Sequence, residues 1–171
     1  MRILFSLAAL TALAMAQSAA AATVTLAPIG FAPEFQTVLE EELGVREGAR
    51  LQQRIADRVD AALASVGGEI APGGDMTLEV TIIDAAPNRP TMQQLRDEPG
   101  LDWGRSISTG GASLRGVLRG AGGQVLAEIE HSYHTPSLQY VFAPPGPWTD
   151  ADRAIRRFAD KVADAYLANA N

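Results

Sequence analysis

Two runs of alternating residues joined by a glycine-rich turn constrain this chain more than anything else in it. In residues 112–119, Leu114, Gly116 and Leu118 fall on one side. In residues 124–133, Val125, Ala127 and Ile129 form the matching side. A period of two sends successive side chains to opposite faces of a strand. Between the runs, Gly120-Ala121-Gly122-Gly123 can take positive φ at low cost, as a tight hairpin requires. Residues 76–84 repeat the pattern, with Met76, Leu78, Val80 and Ile82 opposed to Thr77, Glu79 and Thr81. Residues 23–29 read as one further strand, ended by residues 30–33.

Helical spacing takes over elsewhere. Residues 34–43 carry Phe35, Val38, Leu39 and Leu43, and Gly44 interrupts. Residues 46–66 place Leu51, Ile55, Val59, Ala62, Leu63 and Val66 on one stripe, with Gly67-Gly68 as the stop. A last helix starts after Trp148. There Thr149 and Asp152 have the spacing of a capping box, and Ala151, Ile155, Phe158, Val162 and Tyr166 form a stripe with Leu167 beside it. The expected fold is therefore α+β, an antiparallel sheet of about four strands with two helices packed on one face. The other face, with Thr77, Glu79, Thr81, Ser113, Arg115, Glu128 and Glu130, is expected to be wet or to meet a partner.

The chain has 171 residues, and its first 22 have the form of a secretory signal peptide. Arg2 is followed by an apolar run over residues 3–16, then by Ser18 and four alanines. The run is about 14 residues, short of the roughly 20 that span a bilayer. A cut between Ala22 and Thr23 is expected, with a cut after Ala20 as the alternative. A single domain, 23–171, follows, placed in the periplasm or released from the cell. There is no cysteine, hence no disulfide and no lipid-modified thiol, so stability rests on burial. Fourteen basic and 20 acidic residues give a net charge of −6, and loss of Arg2 makes it −7. An acidic domain gains nothing from phosphate-backbone electrostatics and is a poor match for anionic lipid, so neither nucleic acid nor membrane insertion is expected. All basic residues but Lys161 are arginine, which fits bidentate anion recognition or simply the codon usage of a GC-rich genome.

Candidates for chemistry are sparse. His131 and His134 are three apart, which separates them onto opposite faces of a strand, so a two-histidine metal site is not expected. No serine lies in a G-x-S-x-G elbow. Glu40-Glu41-Glu42 spread around a helix and read as a solvated face. Nothing calls for a cofactor. Residues 85–111 lack periodicity, contain three prolines and four glycines, and hold the candidate site: Asn88, Arg89, Asp102, Trp103 and Arg105. Arginine forks onto carboxylate or phosphate, and tryptophan supplies contact area. The alternative is internal: an Arg–Asp pair pinning the loop, with Trp103 closing the core edge and a helical turn over residues 91–96. Tyr140, Phe142 and Trp148 flank a proline-rich linker and are expected to staple it to the sheet, with an aromatic contact surface as the alternative.

The segments "MTLEVTIIDA", "LRGVLRGAGGQVLAEIEHSY" and "DADRAIRRFADKVADAYL" resemble small bacterial envelope proteins and lipoproteins known only as domains of unknown function. The resemblance implies an N-terminal strand and long helix, an antiparallel sheet and a C-terminal helix. It transfers no catalytic residue, and the missing cysteine departs from its lipoprotein members. The expected function is that of an exported, non-enzymatic protein with a binding or envelope-accessory role, meeting an envelope protein or a small molecule. One alternative is small-ligand binding through residues 86–111. Another is a hydrolase-like enzyme built on Asp102, His131 or His134.

Overall fold

A computed structural model describes residues 22–140 and 146–170. Residues 1–21 of the leader expected over residues 1–22, and the linker residues around Phe142, lie outside the described residues. The elements run β1 (Thr23–Leu26), β2 (Gly30–Phe31), α1 (Pro33–Val38), α2 (Val45–Ser65), β3 (Glu69–Ile70), β4 (Met76–Ala86), α3 (Gln94–Asp97), β5 (Gly111–Gly120), β6 (Val125–His134) and α4 (Thr149–Asn169). A π-helical turn, Leu39–Leu43, joins α1 to Gly44.

The sheet has six strands in the order β3-β1-β4-β5-β6, with β2 also paired to β4. The expectation of about four antiparallel strands is corrected here. Strands β4, β5 and β6 are antiparallel, but β1 and β2 both run parallel to β4, and β3 runs parallel to β1. The reason is the connection. Helices α1 and α2 carry the chain back across the sheet before β4 begins, and a helical crossover returns the next strand in the same direction. Two of the added strands have only two residues each, too short to show a period.

The expected inward faces meet in one core, except that Val125 lies beyond a register shift opposite Arg119 and is 49% exposed. Leu78, Val80 and Ile82 of β4 and Leu114 and Leu118 of β5 pack with Leu51, Ile55, Val59 and Leu63 of α2 and with Ile155, Phe158 and Val162 of α4. Burial of this apolar surface is what stabilises a cysteine-free domain. The outer face is polar as expected and is laced by exposed pairs: Arg119 with Glu79 at 3.1 Å, Arg115 with Glu128 at 3.0 Å and His134 with Asp84 at 3.2 Å.

Two local readings change. Alternation in β4 breaks at Ile83, which bulges to the exposed side between Ile82 and Asp84 and lets the strand run on to Ala86. The capping box is not formed either. The Thr149 hydroxyl accepts the Gly146 N–H at 2.8 Å, while Asp152 takes Arg54 from α2 at 2.7 Å. Trp148 is buried and its indole N–H donates to Glu47 of α2 at 2.8 Å, whereas Tyr140 is half exposed.

Candidate functional site

Residues 87–110 leave the sheet at the end of β4 and return at the start of β5, where Ala86 pairs with Gly111. The segment is fastened at both feet. The Asn88 N–H donates to the Pro147 carbonyl at 2.7 Å, just ahead of α4, and the Thr135 N–H after β6 donates to Gly110 at 2.9 Å.

Asn88 is fully buried and saturated with hydrogen bonds. Its amide donates to the Asp150 carboxylate at 2.6 Å and to the Ser108 carbonyl at 3.2 Å, and its oxygen accepts the Asp150 N–H at 2.9 Å. The Ser108 N–H closes back on the Asn88 carbonyl at 3.0 Å. Asp150, itself buried, also receives Arg153 at 2.9 Å. A carboxylate in the first turn of α4 suits the helix dipole, and here it anchors the loop as well. Gly110 makes this possible, because a Cβ there would come within 2.6 Å of the Asn88 oxygen.

Arg89 is also buried. Its guanidinium donates to the Trp103 carbonyl at 2.6 Å. The Asp102 carboxylate caps its own turn, accepting the N–H groups of Gly104 and Arg105, each at 2.8 Å, while the Ser106 hydroxyl accepts the Asp102 N–H at 3.0 Å. The expected helical turn is present as α3. Thr91 and Gln94 exchange bonds ahead of it, the chemistry of a capping box at T-x-x-Q spacing.

The five candidate residues therefore divide. Asn88 and Asp102 are pins. Arg89 is a pin whose side chain also reaches a cleft of about 600 Å³, and Arg105 lies on the wall of that same cleft with Pro87, Pro90 and Leu101. Trp103 does not line the cleft. It is 49% exposed, so it does not close the core edge. The loop is pinned through backbone groups and Asp150, where an internal Arg–Asp pair was the expectation. Asp150 and Glu47 were not legible as anchors, because the sequence has no mark that separates a buried carboxylate from a solvated one.

The histidines sit apart from this segment. His131 faces inward from β6 toward α4, while His134 is on the outer face against Asp84. Burial, with the positive charges of Lys161 and Arg157, holds the His131 imidazole below its ordinary value. Asp102, His131 and His134 thus occupy three different surroundings. Among the described residues, no group of three His, Cys, Asp or Glu side chains could hold a metal ion, and no helix is long and apolar enough to cross a membrane.

No protein-family model matches the chain, and no curated protein does. Solved structures do match. The layout of a mixed sheet with its helices on one face is shared with PelC of Paraburkholderia phytofirmans, solved as a dodecamer, at 13% identity and a TM-score of 0.50 over 88% of this chain and 90% of that one. Two further neighbours are the hypothetical protein CT253 of Chlamydia trachomatis (13% identity, TM-score 0.49, 86% and 99% covered) and XCC0632 of Xanthomonas campestris, of the DUF330 family (12%, 0.47, 91% and 87%). The neighbours include proteins of unknown function, as the sequence resemblance suggested, and the likeness is one of fold.

Proposed function

We propose that this is an exported protein of the bacterial envelope that acts by binding, without catalysis, and that residues 86–111 are its contact surface for an envelope partner. One observation carries the reading: Trp103 stands 49% exposed on a turn whose amides are capped by Asp102 and whose carbonyl is held by buried Arg89. A large aromatic ring on a fixed backbone gives up little entropy on binding, and such residues dominate interface energies. Ile107, 41% exposed, extends the apolar area. The leader-like N-terminus supports export.

A second reading has its own observation. A cleft of about 600 Å³ with two guanidinium-bearing walls is of a size to hold a small anionic molecule. Affinity capture from the native envelope fraction separates the two. Trp103→Ala is expected to lose a partner that Arg105→Ala keeps. Retention by Trp103→Ala overturns the first reading, and loss confined to Arg105→Ala moves the site into the cleft.

A further inference from the structure

A second cleft, of about 460 Å³, lies on the other side of α3, between residues 92–96 and the start of α2. It is lined by Arg46 and Arg50 of α2 and Arg96 of α3, with Val45 and Met92 beside them. The walls are fixed. Gln93 donates to the Glu41 carbonyl at 3.0 Å, tying the loop to the π-helical turn. Arg50 is held by Glu47 at 2.6 Å, and Glu47 is only 6% exposed, with its other oxygen taken by the indole of Trp148. Both oxygens of that carboxylate are therefore committed, and among the described residues Glu47 is the one acid on the lining.

Three guanidinium groups thus face one acid. Among the described residues, Arg46 and Arg96 make no ion pair and no side-chain hydrogen bond, although the chain has 20 carboxylates to offer. They come from elements some 50 residues apart in sequence, so local helix patterning does not explain their meeting. Two of the largest exposures among apolar side chains, Val45 and Met92 at 64% each, lie at the same cleft.

We infer that this cleft binds a small molecule with a phosphate or carboxylate head on an apolar body. Arg46 and Arg96 would fork onto the oxyanion, the buried Glu47 would keep Arg50 aimed at it, and Met92 and Val45 would cover the body. The site is separate from the one proposed above. It shares no lining residue with the Arg89–Arg105 cleft.

The probe is phenyl phosphate, titrated into the processed full-length protein and followed by thermal shift, with inorganic phosphate and phenol as separate arms. A saturable rise in Tm is expected for phenyl phosphate, weaker for inorganic phosphate and absent for phenol. The Arg46→Gln/Arg96→Gln variant should bind at least about tenfold more weakly. Its unliganded Tm should be unchanged, since both side chains are exposed and, among the described residues, have no ion pair or side-chain hydrogen bond to lose. Arg105→Gln should bind as the parent does. No saturable shift, or equal binding by the double variant, overturns the site. Equal binding of inorganic and phenyl phosphate overturns the apolar wall, and equal binding of phenol overturns the anion. Loss of binding only in Arg105→Gln assigns the probe to the first cleft and overturns this one.

Discussion

His131 is half-buried between β6 and α4, its Nε2 without a hydrogen-bond partner among the described residues. Burial and the charges of Lys161 and Arg157 hold its proton affinity below the ordinary value of 6.5. As pH falls through about 6.5, the unfolded chain takes up a proton that the folded chain refuses, so folding stability drops until the folded-state value is passed. His131→Leu should flatten that decline, as urea titrations between pH 7.5 and 5 would read. An unchanged slope would mean the imidazole is solvated. Asp75 acts at lower pH. The Thr23 N–H and hydroxyl, at 3.1 and 3.2 Å, hold its carboxyl below 3.8, so its contribution is present above that value and fades in stronger acid. Neither environment could be read from the residue type. The opposite facing of His131 and His134 could, since it follows from strand period alone.

At the scale of elements, the legible parts were those long enough to repeat. The β5–β6 hairpin and both long helices carry several cycles of their period, and the structure differs from expectation at their ends by a residue or two. Strands of two residues carry no period, and the direction of β1 depends on the long crossover over residues 27–75, so the parallel half of the sheet stayed hidden. Gly116 shows what pattern does reveal without explaining. It sits among apolar inward positions of β5 because a Cβ there would lie 2.9 Å from the ring of Phe158, which is fully buried on α4. Gly116→Ala should therefore cost about 1–3 kcal/mol in chemical denaturation, an overpacking effect. Adding Phe158→Leu should cost less than the two single changes summed, because they share one volume. Additive losses would mean that helix and sheet do not meet at this point.

In the whole molecule, residues 87–110 form a fixed surface built on the end of the sheet. The sequence marked that stretch by its irregularity. It could not say that Asn88 is a pin while Trp103 and Arg105 face solvent, since the role of Asn88 depends on where α4 begins, whereas Asp102 caps its own turn. Asp150, 62 residues from Asn88, is the missing partner. Losing a buried, multiply bonded amide costs about 1–3 kcal/mol locally, and that loss belongs to this segment before it belongs to the sheet.

Hydrogen exchange is the direct test, read at the Asn88 and Ser108 amides, which donate to Pro147 and Asn88. In the parent protein both should be protected, approaching the amides of β5. In Asn88→Ala, protection should fall about ten- to a hundredfold across the segment while β5 stays protected. Free exchange through residues 87–110 of the parent, beside a protected sheet, would contradict the account and leave Trp103 on a loose loop.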